Sequence, residues 1–136
     1  MVGLLLAALA AHGACTVGTE QVPPLCASRL PAIRTLVVSR VGHRAYAEDG
    51  DRISCGSFRP SAAQVRRFLM TAKRVDPVAA DATLDRSPCQ ASGTVTFTDG
   101  SRGRWTIEQL RVGTLIRGRS RLLLFCADCR TLPFRW

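Results

Sequence analysis

The chain has 136 residues, 46% of them hydrophobic and 21% charged. That allows one hydrophobic core and excludes both two full domains and disorder throughout. Nineteen Lys and Arg against 10 Asp and Glu give a formal net charge of +9, yet Lys73 is the single lysine; arginine and alanine richness of this kind reflects a GC-rich genome, and with no nucleic-acid motif beside it the charge does not argue for a nucleic-acid partner.

Residues 1–14, MVGLLLAALAAHGA, are an apolar run that ends in small residues. They have the build of an export signal and are too short to span a bilayer, although no Lys or Arg precedes the run. Cys15 follows Gly13-Ala14 and resembles the lipobox cysteine of bacterial lipoproteins, which becomes the acylated first residue; His12 stands where that motif carries an aliphatic side chain. Two readings follow, acylation of Cys15 or ordinary cleavage nearby that leaves Cys15 to pair with Cys26. Residues 15–32 hold Pro23-Pro24 and Pro31 without periodicity, which predicts a tether or extended arm. A single α+β domain is then expected over 33–136.

Within it, 33–39 is β-branched and predicts a strand, and 42–51 carries turn chemistry. Asp49-Gly50-Asp51 starts like a calcium loop, but the remaining ligand positions are not filled, so a turn is the reading. Residues 52–58 predict a short strand carrying Cys55. The helix expected over 62 to about 74 has the clearest signature: Ser61 as N-cap, Gln64 completing a capping box, and Val65, Leu69 and Ala72 on one stripe with Phe68 beside them. Lys73 and Arg74 suit the negative end of its dipole, and Asp76-Pro77 ends it. Residues 78–88 read as a loop anchored by Leu84.

From 93 onward alternation takes over. Val95 and Phe97 alternate with threonines, Asp99-Gly100 makes a hairpin turn, and Trp105 and Ile107 alternate with Arg104, Thr106 and Glu108. Residues 110–117 predict a third strand with a bend at Gly113, Arg119-Ser120 a second turn, and 122–125 a strand covered on both faces. The expected fold is therefore α+β, one main helix packed on an antiparallel meander of four to five strands, with Phe68, Leu69, Phe97, Trp105 and Ile107 meeting in the core. The tail from 130 to 136, barred from helix by Pro133, should lie back over the domain and bury Phe134 or Trp136.

Six cysteines in a short chain with an export signal predict a disulfide framework that staples the domain. In a meander, Cys89 and Cys126 fall at the same end of the sheet, which favours Cys89 with Cys126 and Cys55 with Cys129. Pairing Cys126 with Cys129 is disfavoured, because it would leave the last strand untied. Cys126-Ala127-Asp128-Cys129 also has the spacing of a redox pair, but no helix follows to lower a thiol pKa, and a zinc site would need a second close pair. After the signal His43 is the only histidine; Asp76, Asp81 and Asp85 are scattered in a loop, and no phosphate-cradling glycine motif is present. No metal, cofactor or catalytic residue is expected.

The remaining signal is on the surface. Arg117, Arg119 and Arg121 crowd the second hairpin turn, and Arg102 and Arg104 sit beside the first. They are either solvated turn residues or a basic rim for an acidic partner, an unknown protein or an acidic envelope component. The build is similar to that of periplasmic inhibitors and immunity proteins, a likeness of fold without a shared motif. The expectation is a small exported binding protein of the bacterial envelope, periplasmic or secreted and not an enzyme. The alternatives are a periplasmic thiol-disulfide oxidoreductase using Cys126 and Cys129, and a structural lipoprotein anchored to the outer membrane through Cys15, the one route to a membrane.

Overall fold

Among the described residues, six strands and two helices follow one another as β1 (Ile33–Arg44), α1 (Ala62–Thr71), β2 (Lys73–Arg74), α2 (Pro77–Thr83), β3 (Cys89–Phe97), β4 (Arg102–Glu108), β5 (Val112–Arg117) and β6 (Ser120–Phe125). The computed structural model describes residues 15–46 and 54–136. The export signal over 1–14, the Asp-Gly-Asp turn and the start of the strand expected from 52 lie outside the described residues.

The strands form one antiparallel sheet in the order β1-β3-β4-β5-β6-β2. The alternating stretch is thus the expected meander, its hairpins turning through Gly100 at φ +85° and Gly118 at φ +59°, conformations glycine adopts without a Cβ penalty. The sheet has six strands instead of four or five because β1 and β2 add one at each side. β1 runs 12 residues, past the expected end at Ser39, and pairs with β3 through register shifts that bend it. The described part of 54–58 is turn, not strand.

One face of the sheet carries Ala91, Val95, Phe97, Trp105, Ile107, Leu115 and Leu124, and α1 packs on it through Val65, Phe68 and Leu69. All five residues expected in the core are there. The close approach depends on glycine: a Cβ on Gly113 would lie 2.7 Å from the Phe68 ring, and one on Gly93 only 2.6 Å from Trp105. Trp105 instead lies across Gly93 and donates its indole N–H to the Thr94 carbonyl at 3.1 Å. From the tail, Phe134 stacks on Phe68 with centroids 5.8 Å apart and meets Phe58 edge-on at 5.6 Å. The tail therefore lies back as expected and buries Phe134, while Trp136 stays 63% exposed.

α1 starts as read. Ser61 Oγ accepts from Gln64 N at 3.1 Å, and Gln64 Oε1 accepts from Ser61 N at 2.8 Å. It stops three residues early. Ala72 turns to φ −61°, ψ 148°, so Lys73 and Arg74 pair as β2 with Phe125 and Leu124 of β6 rather than facing a helix dipole. Asp76-Pro77 begins a second helix in place of the expected loop: Asp76 Oδ2 accepts from Ala79 N at 3.0 Å, and Pro77 takes the first turn, where a missing N–H costs nothing. α2 and the 15–32 segment cover part of the opposite sheet face through a second cluster of Leu25, Val75, Ala80, Val112 and Phe125.

The cysteine pairs are Cys15–Cys26, Cys55–Cys89 and Cys126–Cys129. This corrects the expected Cys89–Cys126 and Cys55–Cys129 bonds. Cys89 and Cys126 do fall at the same end of the meander, but β3 and β6 are three strand spacings apart, about 14 Å, against the roughly 7 Å a disulfide can span. Only a sheet curled onto itself would close that gap, and this one is held open by β1 and β2 at its edges. Cys55 reaches Cys89 from the loop before α1, and the last strand is tied by β5 and β2 without a cross-link.

Candidate functional site

The part of the second sheet face that α2 does not cover is built from residues that point away from the core by simple alternation. Register places Val37, Thr94, Arg104, Ile116 and Arg121 in one row across five strands. A second row holds Arg40, Ser92, Thr106 and Thr114 and runs on to Leu123, which is already packed against the covered cluster; a third holds Thr35, Thr96 and Arg102. The floor is hydroxyl-bearing and lightly apolar, and its exposed cations stand on it. Arg102 and Arg104 are about 7 Å apart along one strand, and Arg121 lies two strands beyond Arg104, about 10 Å away. Two shallow grooves of about 400 and 330 Å³ share Thr94, Arg104 and Ile116 between them.

The side chains of Arg40, Arg102, Arg104 and Arg121 make no hydrogen bond or ion pair among the described residues. No acid among the described residues forms an ion pair with them, although Asp76 lines a groove beside Arg121. Glu108, at the end of β4, is 7% exposed and already engaged: the Arg86 guanidinium grips it in a fork, with Nε 3.1 Å from each carboxylate oxygen, and Ser87 N donates to Oε1 at 3.0 Å. That fork raises the Arg86 pKa above its ordinary value through the hydrogen bond to Glu108. Asp99, in the first hairpin turn, accepts from the Ser101 hydroxyl and backbone N–H, which holds its carboxyl below the ordinary range, with the Arg117 charge adding to the effect.

Of the five arginines the sequence singles out, three share this face: Arg102, Arg104 and Arg121. Arg117 is on the opposite face, its guanidinium 5.5 Å from the centroid of Phe97, and Arg119 occupies the exposed tip of the second turn. Alternation separates Arg117 from Arg121 even though they are near neighbours in sequence. Arg40 and the threonine floor escaped the sequence reading because outward alternation is legible strand by strand, whereas the row they complete requires the register of β1 against β3.

The six cysteines supply rigidity. All are paired, as in proteins that fold in oxidising compartments, and no described helix is long and apolar enough to cross a membrane. Cys126 and Cys129 are 1% and 8% exposed; Thr71 Oγ1 lies 3.5 Å from Cys126 Sγ, and turns rather than a helix follow the pair. His43 sits half-buried on β1 opposite Gln90. Among the described residues no three His, Cys, Asp or Glu converge as metal ligands.

No family model, curated protein or solved structure matches the chain.

Proposed function

We propose that this is an exported, disulfide-stabilised binding domain that holds an anionic partner, a protein or an acidic envelope component, on the uncovered face of its sheet. The observation that carries the reading is the set Arg102, Arg104 and Arg121, exposed on one rigid hydroxyl-lined surface with no acid paired to them. Unpaired guanidiniums fixed on strands are pre-organised for carboxylate or phosphate groups, so little entropy is lost when a partner docks. The buried, helix-less Cys126–Cys129 bond favours this reading over thiol-disulfide chemistry, which needs an accessible sulfur of lowered pKa. Cys15 Sγ is bonded to Cys26, and an acyl thioether would require the same atom. That favours a periplasmic or secreted domain over a lipid-anchored one.

The test removes charge without removing fold. Arg102→Gln, Arg104→Gln and Arg121→Gln together should weaken binding to poly-L-glutamate and to phosphatidylglycerol vesicles by about tenfold or more and flatten the salt dependence. A control with the same loss of charge, Arg67→Gln, Lys73→Gln and Arg119→Gln, should change affinity less than about twofold. Equal losses in the two triple variants would mean that net charge acts in bulk, and the face would carry no function.

A further inference from the structure

A second cationic site lies at the other end of the sheet, away from the open face. The turn between β4 and β5 places Arg111 at φ 72°, a left-handed conformation that costs a non-glycine residue about 1 kcal/mol or more and persists only where the surroundings enforce it. Here they do. Arg111 N donates to the Glu108 carbonyl and Arg111 O accepts from Cys126 N, while Nη1 donates to the Ala127 carbonyl at 2.8 Å. The guanidinium is thereby fixed 5.1 Å from the centroid of the Phe125 ring.

Among the described residues this guanidinium has no anionic partner, and its buried Nε has no hydrogen bond. Burial lowers the Arg111 pKa from its ordinary value, and the like charge of Arg130 lowers it further. Both arginines line a cavity of about 230 Å³ whose other walls include Val22, Leu84, Phe125 and Trp136. Asp85 also lines it, yet forms no ion pair with either arginine. Two like-charged guanidiniums on a cavity of small-molecule size, whose lining mixes Val22, Leu84, Leu110, Phe125 and Trp136 with the polar Gln21 and Thr83, are a receptor for one negative charge with a partly hydrophobic body attached. With Asp85 beside the two arginines the cavity carries one net positive charge, which a single negative charge neutralises and a dianion such as phosphate would exceed.

We propose that the cavity between Arg111 and Arg130 binds a small monocarboxylate, its carboxylate held by the two guanidiniums and its apolar body lying against Val22, Leu84 and Trp136. A free aliphatic or aromatic acid, or the C-terminal residue of a peptide, has this chemistry. The site does not depend on the open sheet face.

The cavity carries its own reporter. Trp136 lines it and is 63% exposed, whereas the other tryptophan, Trp105, is 1% exposed in the core. Titrating the full exported chain with benzoate and hexanoate should give a saturable change in tryptophan fluorescence that Trp136→Phe abolishes, together with a rise in Tm. Benzamide and hexanamide, the neutral isosteres, should bind at least about tenfold more weakly, because they lack the charge that the guanidiniums pair with. Arg130→Gln should weaken the carboxylates by a similar factor. Arg130 is exposed and its side chain makes no hydrogen bond or ion pair among the described residues, so this variant serves if Arg111→Gln does not fold. Acetyl-capped and C-terminally free dipeptides then distinguish a free acid from a chain end as the ligand. Amides binding as well as the acids, Arg130→Gln leaving carboxylate affinity unchanged, or inorganic phosphate competing at equal concentration would each overturn the assignment.

Discussion

Breaking the Cys55–Cys89 bond isolates the contribution of one staple. The bond spans 34 positions, and in the chain-entropy model a closed loop of that length restricts the unfolded chain by about 4 kcal/mol. Cys126–Cys129 spans 3, for which the same model gives about 2 kcal/mol. The first figure is a large fraction of the roughly 5 to 15 kcal/mol that holds a domain together. The double variant Cys55→Ala with Cys89→Ala should therefore lose about 4 kcal/mol in urea unfolding, and Cys126→Ala with Cys129→Ala about half as much. Alanine is used because a serine hydroxyl at Cys89, which is 0% exposed, would add an unsatisfied buried group to the measurement. Thiol counting on the same samples tests the pairing itself. The first variant should titrate with no free thiol, since both of its remaining bridges are intact. Two free thiols would mean that Cys126 and Cys129 had lost their partners, and the pairing described above would be refuted.

Gly93→Ala should destabilise by about 3 kcal/mol or more, because its Cβ would clash with the Val37 carbonyl oxygen and fall 2.6 Å from Trp105; urea unfolding measures the loss, and faster amide exchange in β1 would locate it. Glu108→Ala should cost about 2 to 3 kcal/mol by orphaning the buried Ser87 N–H and the Arg86 fork, whereas Asp81→Ala, which removes the exposed partner of Arg86, should cost under about 1 kcal/mol. The Asp99 carboxyl, held down first by the Ser101 hydroxyl, should titrate by NMR below 3.8, the ordinary aspartate value, and move back towards it in Ser101→Ala. Because the folded pKa is the lower one, the contribution of this turn to stability is present above the unfolded aspartate pKa and is lost as pH falls through the folded value.

Signals confined to one segment were legible in the sequence. Period-two alternation marked β3 and β4, with Asp99-Gly100 between them, and Ser61 with Gln64 fixed the start of α1 to the residue. The end of α1 was not legible, since Ala72 lies on the same apolar stripe whether or not the helix continues, and what stops it is the competing backbone of β6. Asp76-Pro77 was ambiguous for a related reason: the same pair that closes one helix caps the next. The disulfides failed at a longer range. Chain order put Cys89 and Cys126 at one end of the meander, but the distance between them depends on whether the sheet curls, which no single strand encodes. The open face fell between these cases, with Arg102, Arg104 and Arg121 named as candidates but Arg117 grouped with them by proximity in sequence rather than by side of the sheet.

The short segment beside β2 has a consequence for self-association. Cys26 exchanges both backbone hydrogen bonds with Arg74, at 2.9 and 2.7 Å, and the chain before it folds back so that Thr16 N meets the Leu25 carbonyl, a loop locked by Cys15–Cys26. That margin of the sheet is terminated, and β1 is the outer strand on the other. Growth of a filament by strand addition needs a donor and an acceptor margin on every subunit, so molecules joined through β1 alone stop at a pair.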